Sequence, residues 1–259
     1  MSRWTKDVLR QIRPHLIIQS IKDPKRAFRE IKFRYTFTSK SRFTSDILSL
    51  SRSPFEILDE CKQRNFFSDL KSQITRYPIS SGRGPMGDEA ELLYTCVRLM
   101  KPALVVETGV GAGFSTACIL KALKRNNFGM LYSIDLFKDD ETCGWIIPNH
   151  LNNRWRLIKG SSDNHLNPLL SQLGLIDIFI HDSEHSYANM ISEFRTVWPH
   201  LKKGGILMAH DVGRNDALFD FLKEIQFPWC RVRTYKWLAG FQKPLRKKES
   251  IAYGKNFIR

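Results

Sequence analysis

The sequence has no apolar run near the roughly 18 residues that a membrane span requires. Its longest early candidate, His15 to Ile21, is short and interrupted by Gln19 and Ser20. A basic start without an apolar segment behind it predicts no secretory signal. Paired cysteines are missing too. Cys61, Cys96, Cys118, Cys143 and Cys230 are odd in number, widely spaced and form no C-x-x-C pair. That excludes a disulfide framework and a structural zinc site, and it predicts a cytoplasmic protein. Acidic charge is scarce only at the ends. Residues 1–50 hold 12 Lys/Arg against 4 Asp/Glu, and residues 240–259 hold 6 against 1. Of the net charge of +15, only about +2 is left for residues 51–239. A catalytic groove for nucleic acid would put its positive charge in the middle, so no specific nucleic-acid partner is expected. The basic ends instead predict weak association with a polyanion or with the inner face of an anionic membrane.

The 259 residues, 42% of them apolar, suffice for one large α/β domain with short extensions. The expected division is a basic N-terminal extension over 1–53 and a main domain over 54–259 with its core at 88–239. In the extension, Asp23-Pro24 reads as a cap and first turn for a helix over Lys25 to Tyr35. Thr36 to Ser53, rich in Ser and Thr, reads as a linker, and Pro54 to about Arg64 as a further helix. From residue 88 short apolar runs alternate with helical spacing. Strands are expected at Leu104–Glu107, Met130–Asp135, Trp155–Lys159, Ile176–His181 and Gly205–His210. Arg231–Trp237 and Ser250–Tyr253 are expected as a closing pair. Helices are expected at Asp88–Met100, Ser115–Lys124, Tyr187–His200 and Asn215–Ile225. This alternation means βαβ units and a mostly parallel sheet. Ligands of such sheets bind beyond the carboxyl ends of the strands, here just after residues 107, 135, 160, 181 and 210.

After the first of these strands comes Glu107-Thr108-Gly109-Val110-Gly111-Ala112-Gly113-Phe114-Ser115. Glycines allow a sharp turn and a close backbone approach to a ligand, and the helix that follows offers free N–H groups. A dinucleotide fingerprint would need glycine at 114, where Phe114 stands. An acid at Glu107 would repel a pyrophosphate but suits a ligand carrying an ammonium group. Asp135, at the end of the second strand, is placed to accept from ribose hydroxyls. Together these features point to S-adenosylmethionine rather than NAD.

The blocks V-V-E-T-G-V-G-A-G-F-S-T, S-I-D-L, I-D-I-F-I-H-D-S-E-H-S-Y and L-K-K-G-G-I-L-M-A-H-D-V resemble class I S-adenosylmethionine-dependent methyltransferases. They are closest to the branch called methyltransferase family 24, which holds small-molecule and sugar O-methyltransferases. The resemblance spans about residues 88–213. It implies a Rossmann-like fold, with a seven-stranded, mostly parallel sheet, helices on both faces and a helical N-terminal extension. It implies a cofactor site of Glu107, Gly109, Gly111, Gly113, Ser115, Asp135, Ser161, Ser162 and Asp182. It makes His185 the general base toward the hydroxyl of a small-molecule acceptor, a sugar or natural product. A divalent cation, Mg²⁺ or a softer ion, would sit on Asp182 and Asp211, with His210 beside them. The sequence departs from the family pattern at Ser183, where glycine is usual, and at His210, which is often acidic. His181 is expected in a hydrogen bond or under the sheet, Tyr187 in packing, and Glu193 as a solvated helix residue. Phe137 to Asn153 is expected as a loop over the substrate. The alternatives are a nucleic-acid methyltransferase and a non-catalytic protein of this fold at a membrane surface.

Overall fold

The computed structural model describes residues 38–48, 54, 56–57, 60, 70, 89–137 and 143–245. The expected helices at 25–35 and, for most of its length, 54–64 lie outside these residues, as does the strand at 250–253. Seven strands of the described residues form one sheet: β1 (Leu104–Thr108), β2 (Met130–Asp135), β3 (Trp155–Lys159), β4 (Ile176–His181), β5 (Leu201–Ala209), β6 (Arg233–Tyr235) and β7 (Leu238–Gln242). The order is β3-β2-β1-β4-β5-β7-β6, with β1 to β5 parallel and the β6–β7 hairpin antiparallel. The closing pair is therefore this tight hairpin. Its second strand, Leu-Ala-Gly-Phe-Gln, was not expected from the sequence.

Helices α1 (Lys40–Leu48), α2 (Glu89–Met100) and α3 (Phe114–Asn126) cover one face. Helices α4 (Ser162–Leu173), α5 (Tyr187–His200) and α6 (Ala217–Glu224) cover the other. Each face holds its own apolar layer. Val105, Ile178, Ile180, Ile206 and Met208 point to the first, and Val106, Phe179, Leu207 and Ala209 to the second. This is the period-2 alternation of strands buried on both sides. Local signals set the ends of the helices. Ser186 caps α5 by accepting from the Asn189 amide, and Asn127 closes α3 in the left-handed conformation.

The Ser/Thr-rich stretch read as a linker holds α1. Phe43 and Ile47, one turn apart, are buried against the sheet, and a Cβ on Gly240 of β7 would meet Ile47 Cδ1 at 2.8 Å. Thr38 N donates to Thr234 O at 2.9 Å, which ties the start of the described chain to β6. Helix α4 was also not expected; it carries Pro168 and buries only Leu166, Leu169 and Leu170. Among the described residues no helix is long and apolar enough to cross a membrane. The β1/β4 junction is where the strand order reverses, so the loops after β1 and β4 open a crevice between them.

Candidate active site

The crevice holds a cavity of about 530 Å³, bounded by the loops after β1, β2, β3, β4 and β5. Gly109 opens the first loop, donating from its amide to Ile134 O at 2.8 Å. Its φ is +85°, and a Cβ there would stand 2.0 Å from the carbonyl oxygen of Asp182. Only glycine lets the two loops pass this closely. Gly111, at φ +53°, has nothing within 4 Å of a Cβ position, so the loop is bare where it lines the cavity. Asp135 pins this loop, with Oδ2 accepting from the amides of Val110 at 2.6 Å and Gly111 at 2.8 Å. Its carboxylate still lines the cavity.

Glu107 does not line it. The sequence placed this acid against a ligand ammonium, but the side chain is wholly buried beneath the loop. Oε1 accepts from Ser115 Oγ, and Oε2 from Thr116 Oγ1 and Ser133 Oγ, each at 2.8 Å. Burial pushes its carboxyl up to about 7, against the pull of the three hydroxyls. Gly113 is likewise off the cavity wall, packed at the start of α3 against Ile147 and Gly144. Ser115 reaches the cavity wall, though its hydroxyl is turned to Glu107. Ser161 and Ser162 line the far side, and Ser162 Oγ donates to Asn189 Oδ1 at 3.1 Å.

The loops after β4 and β5 bring Asp182, His185, His210 and Asp211 together, as the adjacency of the strands requires. His185 Nε2 lies 3.7 Å from Asp182 Oδ1 and 3.5 Å from Asp211 Oδ2. His210 Nδ1 lies 3.2 Å from Asp182 Oδ1. The two imidazoles are tuned apart. Burial and the neighbouring His181 lower the pKa of His185, against Asp182 and Asp211. Burial also acts to lower that of His210, but Asp182, Asp211 and Glu89 outweigh it and raise the value. Asp182, His185 and His210 each offer a ligand atom within 4.8 Å of the others. Asp211, expected as a ligand with Asp182, is engaged elsewhere: Oδ2 takes Arg214 at 2.7 Å, and its φ is +54°, a left-handed conformation that Asp tolerates.

Behind His185 lies a network that the sequence did not reveal. Glu193, read as solvated, is 2% exposed. Oε2 accepts from Thr108 Oγ1 at 2.6 Å and faces His181 Nδ1 at 2.7 Å. Oε1 accepts from Ser183 Oγ at 2.7 Å and Asn189 Nδ2 at 3.2 Å. Ser183, the departure from the family glycine, thus supplies one of these bonds. Burial works to raise the Glu193 carboxyl, but His181 and the surrounding donors hold it down to about 2. Tyr187 is half exposed and donates to Asp220 rather than packing in the core. Leu136, Asn189 and Arg214 also line the cavity and carried no sequence signal.

The model of the methyltransferase domain family matches residues 106–212. No curated protein matches the sequence. Among solved structures, the S-adenosylhomocysteine-bound methyltransferase PaMTH1 of Podospora anserina aligns at 14% identity over 73% of this chain and 94% of its own, with a TM-score of 0.52. A caffeoyl-CoA O-methyltransferase candidate from Staphylococcus aureus aligns at 14% identity over 73% of this chain and 98% of its own, also with a TM-score of 0.52. The MycE methyltransferase of the mycinamycin pathway aligns at 19% identity over 68% of this chain, with a TM-score of 0.47. The chain spans about half the length of MycE, 53% of it being covered. At these identities the likeness is one of fold. The family match falls on β1 to β5 and on the loops that build the cavity, so residues 106–212 are similar to that methyltransferase domain.

Proposed function

We propose that the chain is an S-adenosylmethionine-dependent O-methyltransferase that acts on the hydroxyl of a small molecule, a sugar or natural product. The observation that carries this reading is the place of His185 Nε2, beside the glycine loop, between two carboxylates and biased toward neutrality. S-adenosylmethionine supplies a methyl carbon on a sulfonium. The cavity fits it in size, since small-molecule sites run to roughly 300–1,000 Å³. Asp135, with its remaining oxygen, would hold the ribose, Leu136 and the Gly160–Ser162 loop would take the adenine, and Asp182 would hold the charged end, with Gly111 leaving the backbone open to approach. Glu107 acts from beneath, holding Ser115 and Thr116 at the start of α3.

In this reading His185 takes the proton of the acceptor hydroxyl on Nε2, and the oxygen so made nucleophilic would take the methyl carbon as its bond to sulfur breaks, with S-adenosylhomocysteine as the leaving group. Asp182 and Asp211 steady the imidazolium, and the proton then leaves to solvent. The reading is tested by a screen of sugars and phenols with cofactor, read by mass spectrometry. A methylated product whose yield collapses in His185→Ala is expected. A chain that binds neither S-adenosylmethionine nor S-adenosylhomocysteine would end the proposal.

A second reading is favoured by the cluster of Asp182, His185 and His210. One carboxylate and two imidazoles suit Mn²⁺, Fe²⁺ or Zn²⁺ better than Mg²⁺, which prefers an all-oxygen shell. Such an ion would hold the acceptor oxygen and make it more acidic. It would occupy the nitrogen that the base needs, so ion and base are alternatives at one atom. Weak binding of polyanions through residues 1–50 and 240–259 belongs to the same proposal, and elution by salt checks it.

A further inference from the structure

We propose that the acceptor is a pyranose, seated in a subsite beyond His210 where the indole of Trp237 receives its C–H face and the carboxylate of Glu89 accepts from its hydroxyls. This rests on the proposed methyl transfer at His185, and it narrows the acceptor to sugars.

The cavity is divided by polarity. Its apolar side chains, Val110, Ala112, Phe114, Ile134 and Leu136, all lie on the side proposed for the cofactor. Where the acceptor must meet His185, the described wall residues that follow β4 and β5 are all polar, among them Asp182, Glu184, His210, Asp211 and Arg214. A flat phenol against such a wall strips water from charged groups and returns few hydrogen bonds. A sugar returns many, since each hydroxyl both donates and accepts. The carboxylates accept from it, and Arg214 donates to it.

Next to this wall stands the β6–β7 hairpin. Ala209, the last residue of β5, pairs with Ala239 of β7, so His210 and Leu238 come next on the two strands at one edge of the sheet. Tyr235 pairs with Leu238, which leaves Lys236 and Trp237 as the turn. Trp237 is 60% exposed there, a large apolar ring left in water. Glu89, the first residue of α2, is near both places. Its Oε1 accepts from the Trp237 amide at 3.5 Å, and its charge helps to raise the pKa of His210. The Glu89 side chain is only 4% exposed. A buried carboxylate ordinarily takes several firm hydrogen bonds. Among the described residues Glu89 has only this long one, so its other lone pairs are open to a ligand hydroxyl in a charge-assisted bond. An aromatic face beside such an acceptor suits a pyranose. The axial C–H groups lie on the indole, and the hydroxyls of the rim turn to the carboxylate.

The test reads the indole signals in a ¹H–¹⁵N spectrum of the full chain, labelled at tryptophan, with and without S-adenosylhomocysteine. Trp237→Phe identifies the Trp237 signal. The probes are the methyl pyranosides of glucose, mannose and rhamnose, with catechol beside them. At least one pyranoside should move the Trp237 signal to saturation. It should leave the signal of Trp155 in place, since that indole donates to Ser133 Oγ at 3.0 Å beneath the cofactor loop. Trp237→Ala and the isosteric Glu89→Gln should each weaken this binding by ~3–10-fold, with unfolding temperatures near that of the wild type. Catechol should leave the Trp237 signal unmoved. The proposal is overturned if no pyranoside moves that signal, if catechol moves it instead, or if neither variant weakens the binding. Should Glu89→Gln fail to fold, the wild-type spectrum and Trp237→Ala still decide. Binding is read without methyl transfer. A chain that takes a pyranoside at Trp237 but no cofactor would lose the proposed function and keep the subsite. One that methylates a phenol and ignores pyranosides would keep the methyl transfer and lose the subsite.

Discussion

Gly109 and Asp182 touch backbone to backbone across the crevice, so closely that a Cβ on Gly109 would stand 2.0 Å from the Asp182 carbonyl oxygen. This contact joins the cofactor loop to the loop that carries His185. Gly109→Ala has to push the two apart, and we expect it to lower both the melting temperature and the affinity for S-adenosylhomocysteine. Gly111→Ala separates these effects. Its methyl group enters open space, at a left-handed φ that costs roughly 1–2 kcal/mol. Its loss of affinity should therefore exceed its loss of stability. Calorimetric titration beside thermal unfolding of both variants checks this, and equal losses in both measurements for Gly111→Ala would count against a ligand at that surface.

Glu107 should leave a mark on the pH dependence of stability. Its folded value of about 7 lies above the ordinary 4.5, so the folded chain favours the protonated acid. That contribution is fully present below pH 4.5 and is lost as pH rises through about 7. Integrated, the loss is on the order of 3 kcal/mol. Glu107→Gln removes it, so the variant should gain on the wild type across this window in urea unfolding. Subtracting the two curves cancels the groups that titrate in both. Parallel curves would mean that the carboxyl is ionised throughout.

Phe43→Ala should destabilise the protein by ~3–5 kcal/mol, the usual cost of emptying a buried phenylalanine site. Arg42→Ala, on the exposed side of the same helix, should stay within about 0.5 kcal/mol. Equal, small effects of the two would return this segment to the linker that its composition suggests.

His185→Ala should reduce turnover by ~10²–10⁴-fold if the imidazole is the base, with cofactor affinity near normal. A chelator distinguishes the second reading, since a metal-free site ignores it while an ion on Asp182, His185 and His210 does not. Activity should also fall on the acid side as His185 gains its proton, at a pH below the ordinary histidine value because its pKa is lowered. Wild-type turnover by His185→Ala would remove the base assignment.

The strands β2, β3 and β4 were legible to the residue, because buried parallel strands are short apolar runs bounded by turns. The loops at the carboxyl edge followed from that alternation, and with them Asp135, Asp182, His185 and His210. What escaped lacks local contrast. Helix α1 has two buried apolar residues among serines, threonines and charges. Helix α4 carries a proline, and β7 a central glycine. Glu107 was misread because its three hydroxyl partners come from the next helix and the neighbouring strand, where no spacing rule points. The Glu193–His181 pair spans strand and helix and is invisible to any single period.

The bond from Thr38 to Thr234 joins residues 196 apart in sequence. Helix α1 rests on a strand that is synthesised well after it, and it also lies against α2. A nascent chain leaving the ribosome therefore holds the apolar side of α1 without its seat until β6 and β7 have emerged. Loop closure over that distance is slow, and surface left waiting is prone to stick. Co-translational folding of this chain should thus complete the β1–β5 layer first and dock α1 only once β6 and β7 have emerged.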